Sequence, residues 1–228
     1  MNDWLDIKGK TVLVTGASSG IGKAIVEELL ELGVNVANFD LSDNDLRHPN
    51  LLFVKVDVTS RSEVEAGVAK IVERFGNIDA VVNNAGINVT RLLIDAENPK
   101  GPYELDDETF EKITMINQKG LYLVSQAVGR ILVKNGKGVI VNMASEAGLE
   151  GSEGQSAYAA TKAAVYSYTR SWAKELGKHG VRCLLYTSLR SKKSLRLYDK
   201  FINDENLTGL VRFLFYLYSS LIVMIAYR

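Results

Sequence analysis

The sequence contains few residues of several types on which particular functions depend. One cysteine, Cys183, occurs among 228 residues, so no disulfide can form within the chain, and we interpret this thiol as buried or incidental. The two histidines, His48 and His179, lie far apart, and no cluster has the spacing of metal ligands. The 27 basic and 27 acidic side chains cancel, so no net charge attracts nucleic acid or an anionic membrane. We therefore expect neither a metal site nor a nucleic-acid partner.

The N-terminal segment also lacks the apolar stretch of a secretory signal. Residues 1–10 instead carry acidic side chains, and we expect a cytoplasmic protein. Hydrophobic residues make up 46% and charged residues 24% of the chain, as in ordinary globular proteins. A chain of this length can bury roughly 70% of its unfolded surface in one core. No linker favours a division into two independent cores.

Two hydrophobic periods alternate along residues 1–182. Short β-branched runs that are apolar on both faces predict parallel strands covered on both sides. The predicted strands are 11–15, 34–39, 51–56, 79–83 and 137–143. The predicted helices are 21–32, 60–75, 106–134 and about 155–178. This alternation predicts an α/β fold with a doubly wound parallel sheet and helices on both faces.

Two segments interrupt this alternation, and we interpret both as loops. Residues 41–50 are too few and too polar for a full helix. Residues 88–105 form a long connection that contains Pro99 and Pro102. Long loops at strand ends are usually functional or disordered, so the second loop is a candidate substrate region.

A glycine pattern, VTGASSGIG at 14–22, follows the first strand and opens the first helix. Gly16 permits a tight turn, Gly20 lets the backbone approach a pyrophosphate, and Gly22 allows close packing of helix on sheet. The helix start then offers free N–H groups to phosphate. Because the pattern stands between a strand and a helix, it predicts dinucleotide binding in a Rossmann-type sheet.

Asp40 closes the second predicted strand, eighteen residues beyond Gly22. A carboxylate at this place can accept hydrogen bonds from both adenosine ribose hydroxyls and would repel a 2′-phosphate. No Arg or Lys stands at 17–19 or 41–46 to bind that phosphate. The sequence therefore favours NAD over NADP, while a simple capping role for Asp40 remains the alternative.

Several further motifs resemble those of the short-chain dehydrogenase/reductases. NNAG at 83–86, MINQKG at 115–120, NMASEAG at 142–148 and YAATK at 158–162 follow the glycine pattern in the family's order. The resemblance implies a catalytic set of Asn117, Ser145, Tyr158 and Lys162. It also implies cofactor contacts from Gly16, Ser19, Gly20, Ile21, Gly22, Asp40, Asp57, Val58, Asn84, Ala85 and Gly86, together with Tyr158 and Lys162.

The YAATK segment places a phenol and an amine four positions apart on one helix face. A free tyrosine hydroxyl is too weak an acid to serve as a base at neutral pH, and the nearby ammonium of Lys162 favours the phenolate. Tyr158 could then take a proton from an alcohol as hydride leaves for nicotinamide. The resemblance implies that Ser145 orients the reacting oxygen and that Asn117 anchors a water of a proton relay. We expect the small residues 159–161 to leave room for substrate or nicotinamide.

The resemblance extends to a branch that oxidises sorbitol 6-phosphate to fructose 6-phosphate with NAD⁺. A sugar phosphate needs a cation or an N–H cluster, and Arg91 and Lys100 in the loop 88–105 are candidates. Solvated loop surface is the alternative for both charges. A polar run could also contact the sugar, namely Glu146, Glu150, Ser152, Glu153 and Gln155. Rival functions are a catalytically impaired NAD-binding protein and a reductase for another substrate, such as a 3-oxoacyl thioester.

The composition changes at residue 183. The last 46 residues hold 7 basic and 3 acidic side chains, one of the 19 glycines and no proline. The resemblance implies a sixth strand ending in a Pro-Gly turn, a substrate lid and a seventh strand. We predict a boundary between a catalytic unit, 1–182, and an atypical segment, 183–228, that replaces these elements. A frameshift, a fusion or a sequence error is our hypothesis for its origin.

Fifteen uncharged residues run from 213 to 227. This run is short for a membrane span, which needs about 20 residues. A buried helix or strand is the favoured interpretation, and a membrane anchor or an exposed, aggregation-prone tail are the alternatives. The family resemblance also implies a homodimer or homotetramer assembled through the helices that carry Asn117 and Tyr158.

Overall fold

The computed structural model describes residues 7–187. Within this range six parallel strands form one sheet in the order β3-β2-β1-β4-β5-β6. The strands are β1 (Thr11–Thr15), β2 (Asn35–Asp40), β3 (Leu51–Lys55), β4 (Ala80–Asn83), β5 (Gly138–Met143) and β6 (Val181–Tyr186). Because the order reverses between β1 and β4, the carboxyl ends of these two strands open a crevice at the switch point. The predicted Rossmann-type sheet is confirmed.

Helices cover both faces of the sheet because the strands alternate their buried side chains. Val12 and Val14 of β1 pack on one face with α1 (Gly20–Glu31). Leu13 packs on the opposite face with α2 (Arg61–Phe75) and α4 (Leu121–Lys134). The remaining helices are α3 (Asp107–Thr114), the short α5 (Ala147–Glu150) and α6 (Ser156–Gly177).

The helix predicted as one α-helical unit at 106–134 contains a change of pitch. A π-helical turn, Met115–Gly120, separates α3 from α4, and the three segments form one continuous helix. Apolar periodicity does not distinguish such a turn from α-helix, because one extra residue per turn shifts the pattern by a single position. The turn contains Asn117, and π turns within α-helices occur frequently at functional sites.

The sixth strand corrects the predicted boundary at residue 182. Cys183 to Tyr186 continue in parallel register beside β5, with Cys183 opposite Ile140 and Tyr186 opposite Met143. The prediction that the segment from 183 replaces the sixth strand is therefore wrong for these residues. The composition change misled because a loss of glycine does not disfavour a strand, and the apolar run CLLY favours one.

The thiol of Cys183 is buried, as the sequence analysis expected. Burial, with a contribution from the charge of Glu175, raises the pKa of this thiol to about 11. A thiol with such a pKa is protonated at neutral pH and is therefore a poor nucleophile.

The two predicted loops are loops in the structure, and the second is held in place. Arg91 forms a parallel bridge with Gln155, and Leu92 forms one with Glu104. Residues 88–105 are thus tied to the segment that leads into α6. Among residues 7–187 no helix is long and apolar enough to cross a membrane. The interpretations offered for 213–227, and the lid and seventh strand, concern residues outside those described.

Candidate active site

The glycine turn forms a cradle at the carboxyl end of β1. Gly16 has φ +62°, and a Cβ atom there would lie 2.9 Å from the Cα atom of Ala85. Gly22 is also closely packed, because an added Cβ would meet the carbonyl of Gly16 and the amide of Asn84. Gly20 has φ +52°, yet nothing lies within 4 Å of the Cβ position. The turn is therefore closely packed at Gly16 and Gly22 and open at Gly20, where a ligand would lie.

The start of α1 differs from the starts of α2 and α3. Ser60 caps α2 and Asp106 caps α3 through side-chain hydrogen bonds, and both helices carry acidic residues in the first turn. Ser19 at the start of α1 makes no side-chain cap, and no acidic residue occupies that first turn. Uncapped N–H groups and the positive helix dipole favour an anion, so this end of α1 fits a pyrophosphate.

Asp40 lies at the end of β2 beside the glycine turn. Its Oδ2 atom accepts a hydrogen bond from the backbone N–H of Ser18 at 2.9 Å, and its Oδ1 atom accepts one from Leu41 at 2.7 Å. The carboxylate is thus fixed at the carboxyl edge of the sheet with further lone pairs for a ligand. The geometry suits a hydroxyl donor such as a ribose.

The other predicted cofactor residues lie along the same edge. Oδ1 of Asp57 accepts two hydrogen bonds at 2.8 Å from the N–H and hydroxyl of Thr59, and buried Val58 packs where Gly120 leaves space. The amide of Asn84 donates to the carbonyls of Thr15 and Gly16, both at 3.0 Å.

Thr15 is a residue that the sequence analysis missed. Its Oγ1 atom accepts from the N–H groups of Asn84 and Ala85 at 3.1 and 2.9 Å. The hydroxyl therefore joins the ends of β1 and β4. A polar residue directly before the first glycine of a strand-end turn was the available signal.

Lys162 and Tyr158 face each other on α6. The Nζ atom of Lys162 lies 5.7 Å from the centroid of the Tyr158 ring and donates a 2.7 Å hydrogen bond to the carbonyl of Met143. Lys162 is 7% exposed, and burial lowers its pKa to about 8. At neutral pH the amine thus remains largely charged although it is buried, and its field acts on the neighbouring phenol.

Asn117 is brought to the same place by the π-helical turn. A Cβ added to Gly86 would lie 3.2 Å from Oδ1 of Asn117 and 3.7 Å from Nζ of Lys162. The Asn117 amide accepts from the N–H of Ile87 and donates to its carbonyl, both at 2.9 Å. Its second donated bond, 3.1 Å long, goes to Thr161. Asn117 therefore anchors the chain after β4, and its role toward a relay water stays a prediction.

The small residues between Tyr158 and Lys162 have an additional use. Thr161 is buried, and its hydroxyl donates to the carbonyl of Tyr158 at 2.7 Å while it accepts from Asn117. Ala159 is buried as well. The side chains at these two positions pack inside the protein, and the expectation that their small size leaves room for substrate or nicotinamide stays a prediction.

Ser145 follows β5 by two residues and is half-buried. Its Oγ atom accepts a hydrogen bond from the N–H of Ala147 at 3.3 Å. Because Oγ is held as an acceptor, its proton is available to donate to another oxygen. Met143, whose carbonyl binds Lys162, lies two residues before it, so β5 positions both groups.

The candidate substrate residues divide into two groups. Arg91 is half-buried, and its Nε atom is buried without a hydrogen-bond partner. Gln155 and Glu146 are also half-buried. Lys100, Glu150, Ser152 and Glu153 are exposed.

A cavity of about 350 Å³ lies away from these groups. It opens between α4 and α6, and its lining includes Tyr122, Ser125, Gly129, Trp172 and Leu176. None of the predicted site residues lines it. We therefore place the candidate active site in the crevice at the carboxyl edge of the sheet and treat this groove separately.

A nucleotide cradle beside a buried ammonium, a phenol and a serine hydroxyl defines a dehydrogenase of the Rossmann-type class. Comparison with known proteins agrees with this class. The family model of the short chain dehydrogenases matches residues 10–187. The chain therefore belongs to the short-chain dehydrogenase family, whose members are oxidoreductases that bind NAD or NADP.

Individual relatives act on different substrates. The chain is 53% identical to sorbitol-6-phosphate 2-dehydrogenase of Klebsiella pneumoniae over 184 residues, which cover 80% of this chain and 69% of the relative. It is 37% identical to a 3-oxoacyl-[acyl-carrier-protein] reductase of Thermotoga maritima over 185 residues, covering 77% and 72% of the two chains. It is 34% identical to sorbitol dehydrogenase of Cereibacter sphaeroides over 182 residues, covering 77% and 68%.

The lowered pKa of Lys162 predicts a specific pH dependence of stability. The unfolded chain keeps this proton up to about pH 10.5, whereas the folded chain releases it at about pH 8. Between these values the unfolded state binds more protons, so the free energy of unfolding should rise with pH by roughly 3 kcal/mol relative to Lys162→Met. Denaturant titrations of both proteins at several pH values measure this difference. Parallel pH profiles for the two proteins would contradict the burial of a charged amine.

Proposed function

We propose that this protein is an NAD-dependent dehydrogenase that interconverts a secondary alcohol and a ketone, with sorbitol 6-phosphate and fructose 6-phosphate as its substrate pair. The observation that carries the reaction is the buried ammonium of Lys162 beside the ring of Tyr158. The identity of 53% with sorbitol-6-phosphate 2-dehydrogenase supports the substrate.

Each catalytic side chain has one task in this proposal. The bound nicotinamide supplies the hydride acceptor. Tyr158 takes the hydroxyl proton of the alcohol and returns it in the reverse direction, with the ammonium of Lys162 5.7 Å from the centroid of its ring. Ser145 donates a hydrogen bond to the reacting oxygen. Asn117 holds the chain after β4 and anchors a water of the proton relay. Lys162 also binds the nicotinamide ribose.

The cofactor contacts follow from the cradle. Ser19, Gly20, Ile21 and Gly22 receive the pyrophosphate at the uncapped end of α1, with Gly16 forming the turn. Asp57 and Val58 contact the adenine. Asn84, Ala85 and Gly86 lie along the rest of the cofactor, which reaches Tyr158 and Lys162.

Selection of NAD over NADP rests on the charges beside Asp40. The fixed carboxylate would repel a 2′-phosphate. The nearest cation in the following loop, Arg47, pairs with Asp43 at 3.1 Å and with Asp45 at 3.5 Å. A guanidinium that is already paired with two carboxylates is less available to bind the 2′-phosphate of NADP. This pairing therefore favours NAD.

Two other functions have support. The sequence contains no proline after Pro102, so the Pro-Gly turn expected after the sixth strand is missing. An NAD-binding protein with impaired catalysis would follow if residues 188–228 cannot close the site. The similarity to a 3-oxoacyl reductase favours a third possibility, the same chemistry on a thioester substrate.

Absorbance assays of NADH formation, combined with calorimetry of cofactor binding, distinguish these three functions. We expect NADH to form from NAD⁺ with sorbitol 6-phosphate, with a much lower rate from NADP⁺. Binding of NAD⁺ by calorimetry without turnover of any polyol would identify the impaired protein. Turnover confined to a 3-oxoacyl thioester would overturn the assignment of substrate.

The role of Tyr158 is tested by removing one oxygen atom. We expect Tyr158→Phe to lower kcat by about 10²- to 10⁴-fold, because the proton acceptor is lost. The affinity for NAD⁺ should change less than twofold by calorimetry, because the ring and Lys162 remain. Tyr168→Phe, a phenol on the same helix that bonds Gln118 at 3.4 Å, is the matched control. Retained turnover in the first variant would contradict the assignment.

Arg91 is the better candidate for binding the substrate phosphate. Its backbone N–H donates to the carbonyl of Gly154 at 2.7 Å, which ties it to the segment leading into Tyr158. Its Nη1 atom donates to the carbonyl of Thr90, while Nε lacks a partner.

Arg91 also acts on the start of α3. Hydrogen bonds from Thr109, with a smaller contribution from the charge of Arg91, lower the pKa of the Asp106 carboxyl. Lys100, in contrast, is exposed at φ +62°.

Arg91→Ala should therefore discriminate between phosphorylated and unphosphorylated polyols. We expect KM for sorbitol 6-phosphate to rise about 10- to 100-fold, the loss typical of a charge-assisted hydrogen bond. The value of kcat/KM for sorbitol should change little. Lys100→Ala is the control on the same loop, and its effect should stay below twofold. Equal losses on both substrates for Arg91→Ala would show that Arg91 shapes the loop instead.

The groove between α4 and α6 supports a homodimer or homotetramer. Tyr122 is 38% exposed on this surface, and an added Cβ at Gly129 would meet nothing within 4 Å. A second copy of the chain could cover this face and its stacked aromatic pair, Tyr168 and Trp172. We place the protein in the cytoplasm, in keeping with its single cysteine and its polyol phosphate substrate.

A further inference from the structure

Asn38 is a buried amide in an otherwise apolar part of strand β2. It is fully buried, and the parallel register places it between Val14 of β1 and Phe53 of β3. Its neighbour on the same face of the strand, Val36, packs into the core with α1. Burying an amide costs free energy unless its polar atoms find partners. A branched apolar residue would suit this place in the strand better.

The amide is only half satisfied. Its Nδ2 atom donates a 3.0 Å hydrogen bond to Oγ of Ser18. Its Oδ1 atom is buried and has no hydrogen-bond partner. The amide gains one hydrogen bond on folding, but its oxygen loses the hydrogen bonds that it makes to water in the unfolded chain. A contribution to the stability of the fold therefore does not explain the presence of the amide. The contact with Ser18 is what remains to explain it.

Ser18 lies inside the glycine turn and is held from two directions. Asn38 donates to its hydroxyl oxygen, and its own N–H donates to Oδ2 of Asp40 at 2.9 Å. Asn38 and Asp40 are two positions apart and therefore project from the same side of β2. Because Oγ accepts from Asn38, the hydroxyl proton of Ser18 is available to donate elsewhere. Ser18 is half-buried, so part of its side chain remains accessible to a ligand at the glycine turn.

We propose that Asn38 is a positioning residue for the adenosine half of the cofactor, acting through the hydroxyl of Ser18. The inference rests on the proposed NAD site and adds a residue to it. Asn38 fixes Ser18 as a donor toward the adenosine ribose, while Asp40 beside it is the acceptor. The pair offers a donor and an acceptor side by side, which matches the two adjacent hydroxyls of an unmodified ribose. A hydroxyl that turned inward would leave only the acceptor.

A merely structural role for Asn38 makes the opposite prediction about stability. If the amide supported the turn, its replacement by an apolar residue would lower the thermal midpoint of the protein without ligand. If it positions Ser18, that replacement removes an unpartnered buried oxygen and leaves the midpoint unchanged or higher. Affinity for the cofactor should fall all the same.

The test measures binding of NAD⁺ and of 5′-AMP, a probe of the adenosine half, by calorimetry. We expect Asn38→Val to weaken both about fivefold, which corresponds to one ordinary hydrogen bond. Ser18→Ala should produce the same loss, and the double variant should lose no more than either single one, because both act through one hydroxyl. Thr169→Val is the control, since Thr169 is buried and accepts from Asn142 at 2.9 Å far along the sheet. It should lower the thermal midpoint and leave 5′-AMP binding unchanged.

Three results would overturn the proposal. The first is an unchanged affinity for 5′-AMP in Ser18→Ala. Because Ser18 is only half-buried, this variant can overturn the proposal even if Asn38→Val does not fold. Another is additive loss in the double variant, and the third is a fall in thermal midpoint for Asn38→Val as large as that of the control. A wild-type preference for NADP⁺ would instead refute the choice of NAD, while the 5′-AMP ratios would still decide the role of Asn38.

Discussion

The hydrogen bond between the ammonium of Lys162 and the carbonyl of Met143 is the interaction on which the rest of the site depends. It fixes a charged group in the interior, where burial opposes the charge and lowers its pKa to about 8. It also joins α6 to the end of β5, so the helix that carries Tyr158 and the strand that leads to Ser145 keep one relative position. A charge near a phenol acts strongly here because little water screens it.

The opposite end of the crevice is organised by groups that remain unused within the fold. Helix α1 begins without a side-chain cap, Gly20 has open space above it, and Asp40 keeps lone pairs free. Helices α2 and α3, in contrast, begin at the capping side chains of Ser60 and Asp106. Helix α6 also begins without a side-chain cap or an acidic first turn, so it is the uncapped start of α1 together with the open glycine turn beside it that suits a phosphate.

The sheet could be predicted from the sequence because five of its strands are continuous apolar runs between clear turns, and the glycine turn could be predicted because it stands between a strand and a helix. The sixth strand was missed because its first half lies where the composition changes. The π-helical turn and the double role of Asn117 were also missed. The bonds of Asn117 involve partners distant in sequence, Ile87 and Thr161, and periodicity carries no information about them. Asn38 was overlooked because a single amide barely alters an apolar pattern.

The π-helical turn has a cost that a designer would notice. An uninterrupted α-helix from α3 to α4 would have better backbone geometry, but removing one residue from Met115–Gly120 would rotate every following side chain by about 100° relative to those before it. Asn117 could then no longer face Ile87 while α4 kept its apolar stripe on the sheet. Sequence idealisation aimed at a more heat-resistant protein would thus erase the irregularity that lets one rod serve both the crevice and the core.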